Sequence, residues 1–305
     1  MIRRLIVLAA VAAVLGIAAF WLLTIPATVS ASALSSHTPD LNNGREMFYA
    51  GGCASCHAVP RQKDPTRLGG GLALNSPFGT FYVPNISPDP RDGIGAWSEA
   101  QFVTAMTKGT LPTGEHLYPA FPYPSYQHMR LDDLRDLFAF LRTLPPVRGR
   151  VRDHALRFPF NIRRAVGLWK LLFLDAQPFK PDPAQSAQWN RGAYLVNGPG
   201  HCAECHSPRN FLGAVIPSLR FTGGPSPDGQ GGVPNITQYK LKNWTVEDIA
   251  GTLTDGMTPD ADLVGGSMIE VVANTSKLTA DDRKAIATYI KSLPAVEGLR
   301  RPPKP

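Results

Sequence analysis

The stretch GPGHCAECHSPRN (Gly198–Asn210) sets Cys202 and Cys205 three positions apart and places His206 directly after the second. An earlier stretch, GGCASCHAVP (Gly51–Pro60), repeats the pattern with Cys53, Cys56 and His57, and together the two use all 4 cysteines of the chain. On a single helical turn, residues i, i+3 and i+4 share one face. That geometry lets two thiols form thioether bonds to the vinyl groups of one haem while the adjacent imidazole turns onto the iron, which is the attachment pattern of c-type haem. The alternatives use these residues less well. One zinc clamped by both CxxC pairs leaves each histidine without a duty, a thiol-redox CxxC expects a βαβ context that is absent, and disulfides inside each pair would close loops too small to stabilise much. Two covalently bound haem c groups are therefore expected, with Cys53, Cys56, His57, Cys202, Cys205 and His206 as the binding residues and His57 and His206 on the irons.

Other landmarks recur at nearly the same offset. His57 and His206 differ by 149, VPNIS at Val83 and VPNIT at Val233 by 150, Trp97 and Trp244 by 147, and LRTLPPV at Leu141 and IKSLPAV at Ile290 by 149. The spacing predicts an all-α chain made of two tandem units, 31–146 and 191–297, joined by a linker at 147–190 and followed by a tail at 298–305. Each unit reads as a short helix into CxxCH, a long Gly/Pro-rich loop, a middle helix, another loop and a terminal helix. Capping-box signals open the middle helices at Ser98/Gln101 and Thr245/Asp248. The terminal helices carry Leu134, Leu137, Phe138 and Leu141 in one copy and Ile286, Tyr289, Ile290 and Leu293 in the other, and both stop at Leu-Pro. Loops this long around so few helices need a large buried ligand to fold upon. In the linker, Ile162, Val166, Trp169 and Phe173 fall on one helical face. That face is expected to brace the two units; the alternative is a membrane surface or a partner subunit.

With 305 residues and 43% hydrophobic content the chain has room for two ordinary domains. Its net charge of +7 comes with no lysine run interleaved with aromatics, so nucleic acid is not an expected partner. The N-terminus, MIRRLIVLAAVAAVLGIAAFWLLTIP, is uncharged from Leu5 to Ile25, long enough to cross a bilayer. Residues 1–30 are expected to be a retained anchor, with Arg3 and Arg4 on the cytoplasmic side and everything after residue 30 exported. The alternative is a cleaved signal, for which Ala31-Ser32-Ala33 is a suitable site.

A six-coordinate iron needs a second axial ligand, and a methionine sulfur raises the potential and suits electron transfer. Met268, in the glycine-rich VGGSMIEVV, is the expected ligand in the second unit, ahead of Met257. In the first unit the corresponding place falls near YPAFPY, where Phe121 cannot bind iron. Met129 is the expectation there, with Met106, His116, His128 or a five-coordinate iron as the other possibilities.

The whole pattern, CxxCH twice with VPNISPD, IGAWSEAQF, GEHLYPAFPYPSY, RGAYLVNGPGHCAECHSPRN, VPNIT, VGGSM and NTSKL, resembles the cytochrome c subunits of membrane-bound bacterial dehydrogenases acting on alcohols, aldehydes and gluconate. The resemblance runs from about Asn43 to Val296. It implies tandem cytochrome c-like domains and an electron-transfer subunit with no catalytic activity of its own. It further implies a place on the bacterial inner membrane, facing the periplasm, between a catalytic dehydrogenase subunit and a downstream acceptor (quinone, another cytochrome or a terminal oxidase). The sequence departs from that family twice: it has two haem motifs where three are common, and Phe121 where many members have the methionine of YPAMPY. The second departure keeps open a dihaem enzyme, such as a peroxidase or a thiosulfate-oxidising cytochrome.

Overall fold

The computed structural model describes residues 1–175, 177–226 and 231–299; the expected tail at 298–305 lies outside them from position 300. Helices dominate. The long N-terminal helix α1 (Ile2–Leu23) stands clear of the body, with no buried residue along its length. It is followed by α2 (Leu41–Ala50), α3 (Cys53–His57), α4 (Glu99–Lys108), α5 (Tyr123–Tyr126), α6 (Leu131–Leu141), α7 (Val166–Phe173) and α8 (Ala187–Asn197). Helices α9 (Gln238–Leu241), α10 (Val246–Asp255), α11 (Met268–Thr275) and α12 (Ala280–Lys291) complete the series. Strands are short: β1 (Ala73–Ser76) pairs antiparallel with β2 (Gly79–Tyr82), β2 pairs with β3 (Ala155–Leu156), and β4 (Gly224–Pro225) pairs with β5 (Gly232–Val233).

Two helix pairs organise the core, α2 against α6 and α8 against α12. Each pair crosses at a glycine that has no room for a side chain. A Cβ on Gly44 would meet the Asp136 carbonyl and the Phe140 Cβ, the latter at 2.8 Å, and one on Gly192 would meet the Ala285 carbonyl and the Tyr289 Cβ, the latter at 3.0 Å. The predicted apolar faces line this core: Leu134, Leu137, Phe138 and Leu141 on α6 are buried, as are Ile286 and Ile290 on α12. Helices α4 and α10 begin with the expected capping boxes, Ser98 with Gln101 and Thr245 with Asp248. Both end on a left-handed glycine, Gly109 (φ 56°) and Gly256 (φ 81°), where a β-carbon would be strained.

The linker departs from the expected single helix face. Residues 163–165 form a 3₁₀ turn before α7, and Ile162 is 44% exposed rather than packed. Helix α7 does touch both halves of the chain: Lys170 Nζ donates to the Lys108 carbonyl at 2.6 Å, and Trp169 Nε1 donates to the Leu212 carbonyl at 3.0 Å.

Candidate functional site

Both CxxCH stretches form one helical turn. In the first, α3 starts from Gly52 in the left-handed region (φ 55°), which turns the chain sharply out of α2. In the second, Cys202–Glu204 is a 3₁₀ turn and the His206 N–H donates to the Cys202 carbonyl at 3.0 Å, so the turn closes around the two cysteines. None of the four cysteines is in a disulfide. Burial pushes the Cys53 and Cys202 thiols up to about 12, the opposite of the lowered value that makes a thiol redox-active or a good zinc ligand.

The histidines are held alike. His57 Nδ1 lies 2.8 Å from the Pro84 carbonyl and His206 Nδ1 lies 2.8 Å from the Pro234 carbonyl. A carbonyl oxygen only accepts, so each Nδ1 carries the proton and each Nε2 presents a lone pair. Burial lowers both imidazoles, His57 to about 4, which keeps them neutral. A neutral imidazole aimed by its second nitrogen is what an iron ligand requires.

The carbonyls that aim these rings belong to the repeated VPNI stretches, whose role the sequence reading did not assign. Asn85 fixes the first one by donating to the Val147 carbonyl at 2.7 Å and accepting from Ser87 N–H at 2.9 Å. Asn235 fixes the second by donating to the Val296 carbonyl at 2.8 Å and accepting from Thr237 N–H at 2.8 Å. Beyond the histidines, Gly70 N–H reaches the His57 carbonyl and Gly223 N–H the His206 carbonyl, each at 2.8 Å. The exact recurrence of VPNI was the signal available for this function.

Met268 is the first residue of α11, not part of a loop as expected; its side chain is half-buried against the apolar core. Met257 is 53% exposed. In the first half, Met129 is 3% exposed and lies a short step past the end of α5 (Tyr126), as Leu278 lies past the end of α11 (Thr275). Two of the other possibilities are already engaged. His116 Nε2 meets the Thr24 carbonyl at 2.9 Å while its Nδ1 meets Lys170 at 3.0 Å, and His128 Nδ1 meets the Gln177 carbonyl at 2.6 Å. Met106 is buried in α4. Phe121 is half-buried, its ring 5.4 Å from that of Tyr126.

Comparisons with known proteins place the chain in a family. The family model described as Cytochrome c matches residues 41–145. A protein named "Diheme cytochrome c-type" from Cereibacter sphaeroides is 48% identical over 284 residues, covering 92% of this chain and 95% of that one. The chain belongs to the cytochrome c family. The fructose dehydrogenase cytochrome subunit of Gluconobacter japonicus is 37% identical over 86% of this chain, which spans 54% of that subunit. The cytochrome c subunit of the quinone alcohol dehydrogenase of Gluconacetobacter polyoxogenes is 36% identical over 88% of this chain, which spans 62% of it. Family membership and the dihaem relative together support two covalently bound haem c groups in this cytochrome. Its relatives in dehydrogenase complexes are named as cytochrome subunits, and this cytochrome is likewise an electron-transfer protein rather than a catalytic subunit.

Proposed function

We propose that this cytochrome is a two-site carrier, anchored in the bacterial inner membrane by α1 with its body in the periplasm. It takes electrons from a dehydrogenase catalytic subunit and passes them to quinone, another cytochrome or a terminal oxidase. The reading divides the body into two tandem cytochrome c-like domains, 31–146 and 191–297, bridged by 147–190. The observation that carries it is the duplicated histidine–proline pair, His57 with Pro84 and His206 with Pro234, each beside two cysteines on one turn that are not in disulfides.

In this reading Cys53 and Cys56 would hold one haem and Cys202 and Cys205 the other, with His57 and His206 binding the irons. Met268 and Met129 would be the further iron-binding residues. When bound, haem contributes one-electron Fe(III)/Fe(II) chemistry. The chain's own part is rigidity: the Asn85 and Asn235 hydrogen bonds hold each carbonyl, each carbonyl holds an imidazole tautomer, and the buried core keeps water from the ring. Ligands that do not rearrange between oxidation states keep the barrier to electron exchange low.

The chain made in a host that attaches haem c should gain the mass of two haems, keep them in denaturant, and give low-spin spectra. It should be reduced only when a dehydrogenase and its substrate are supplied. A colourless product ends the proposal. Phe121 favours a second reading, a dihaem enzyme with an open first iron; peroxide turnover by the purified chain together with a high-spin signal would establish that one instead.

A further inference from the structure

Helix α1 does not leave the body through a free linker. Thr24, at its C-terminal end, is fully buried. Its carbonyl meets His116 Nε2 at 2.9 Å, and its hydroxyl accepts from Arg164 Nε at 2.7 Å. Arg164 also donates to the Trp21 carbonyl at 2.9 Å and lies 4.5 Å above the Trp21 ring. Gly167 of α7 packs so closely on Thr24 that a Cβ there would come within 2.6 Å of the threonine side chain. The segment 158–173 is thus fastened to the point where α1 enters the body.

That same segment turns an apolar surface outward. Phe158 is 78% exposed, Leu171 60% and Leu172 68%, with Phe160, Ile162 and Leu168 also exposed. The inward side of α7 is spent on Val166, Gly167 and the Lys170 hydrogen bonds to the Lys108 and Gly109 carbonyls. Between Ala155 and Phe173 the charged residues are Arg157, Arg163, Arg164 and Lys170, with no acidic residue among them. Large exposed apolar side chains gathered on a cationic segment mark an interaction surface. A surface continuous with the end of a membrane-spanning helix lies at the level of the lipid headgroups.

We infer that residues 158–173 form a second membrane contact, an interfacial wedge whose Phe158, Leu168, Leu171 and Leu172 side chains enter the outer edge of an anionic bilayer beside α1. Exposed Arg157 would reach lipid phosphates while the apolar side chains dip below them, the usual arrangement of an interfacial helix; Arg163 and Arg164 are spent on contacts within the protein. Two contacts, one spanning and one lying flat, fix the tilt of the body on the membrane, which a lone helix would leave free to swivel. The inference rests on reading α1 as an anchor, and its test separates the two.

The full holo-chain is reconstituted in vesicles of phosphatidylethanolamine and phosphatidylglycerol, with single spin labels at Leu172→Cys, Phe158→Cys, Val11→Cys in α1, or Asp281→Cys on α12. Unchanged haem spectra certify each variant as folded. Relative accessibility to oxygen and to an aqueous nickel reagent should place the Leu172 and Phe158 labels about 5–10 Å below the headgroups, with Val11 deeper and Asp281 in water. Adding Leu168→Asp and Leu171→Asp should return the Phe158 label to water. Labels at 158 and 172 that match Asp281 while Val11 is deep overturn the inference and leave the anchor standing. A Val11 label that is aqueous, or cleaved away, ends the anchor reading, and the 158 and 172 depths still decide the wedge. Shielding from both reagents that appears only on adding a dehydrogenase subunit assigns the surface to protein and also overturns the inference.

Discussion

Substituting Asn85→Ala tests whether the histidine of the first site is held from behind. Asn85 is 6% exposed and makes two close contacts, Nδ2 to the Val147 carbonyl at 2.7 Å and Oδ1 from Ser87 N–H at 2.9 Å. Alanine leaves Ser87 N–H without an acceptor in a buried place. Val147 keeps only Ser87 Oγ, at 3.3 Å. Leaving a buried backbone group unsatisfied costs about 1–3 kcal/mol, so the loss of one partner and the weakening of another should total about 3 kcal/mol. For a body of this size each kcal/mol moves Tm by roughly 2–4 °C, a fall of about 6–12 °C in all. The melt is followed by far-ultraviolet circular dichroism and by the Soret band. Because the Pro84 carbonyl loses its anchor, the iron–imidazole vibration of one haem should shift while the other holds. A melt lowered by less than about 2 °C with no vibrational shift would refute the idea that VPNI is a device for aiming the ring.

Gly192→Ala should destabilise by about 3 kcal/mol in calorimetry, because the new Cβ meets the Ala285 carbonyl and the Tyr289 Cβ across the α8–α12 crossing. Gly251→Ala on α10, which meets nothing within 4 Å, should instead be neutral or stabilise by up to about 1 kcal/mol. Asp136→Asn should blunt the acid sensitivity of the fold. Burial alone would raise this carboxyl, but hydrogen bonds from Asn43, the Asp40 N–H and His37 overcome that and hold it below the ordinary value. A depressed carboxyl contributes stability that is present above its unfolded pKa, about 3.9, and is lost as pH falls through the folded one. The difference between wild type and Asp136→Asn should therefore be full at neutral pH, begin to shrink near pH ~4 and vanish only once the pH is below the depressed folded value, in urea titrations. Met268→Ala should convert one haem of the holo-protein to a high-spin or exchangeable-ligand spectrum and lower its potential, read by redox titration.

Much of this was legible in the sequence because covalent attachment demands fixed spacing. CxxCH cannot drift by a residue without losing a thioether or the ligand, so the two sites could be read directly. The capping boxes of α4 and α10 and the apolar stripes of α6 and α12 were legible for the same reason, since each is a local rule acting within one or two turns. What the sequence did not yield depends on distant partners. The VPNI carbonyls matter only because a histidine 27 or 28 positions earlier folds back to them. Met268 sits among glycines that argue for a loop, yet it opens α11, whose Val272 packs in the core. In the linker, the pattern at Ile162, Val166, Trp169 and Phe173 suggested one buried face. The chain buries Val166 and Gly167 and exposes Leu168, Leu171 and Leu172, because Arg164 and Gly167 are drawn to the end of α1.

Each attachment turn also touches a helix of the other half, and the contacts come as a reciprocal pair. Asn274 Nδ2, on α11, donates to Ser55 Oγ inside the first CxxCH at 2.9 Å; Ser125 Oγ, on α5, donates to Glu204 Oε1 inside the second at 2.8 Å. At the repeat offset of 149, Ser125 corresponds to Asn274 and Ser55 to Glu204. A contact of i with j matched by one of j with i is the pattern that a twofold axis gives in a symmetric dimer, and this pair of bonds follows it. His201 Nε2, 3.3 Å from the Gly51 carbonyl, and the Tyr126 ring, 5.6 Å from the His201 ring, lie in the same seam. Such packing brings the two attachment turns into one seam, an arrangement that the proposed carrier role would use. Each of the two bonds is worth about 1 kcal/mol, and they act on one seam. Ser125→Ala with Asn274→Ala should therefore split a single calorimetric transition into two and slow electron exchange between the haems. A wild-type chain that already melts in two separate steps, or a double variant indistinguishable from it in both measurements, would show that the seam does not couple the copies.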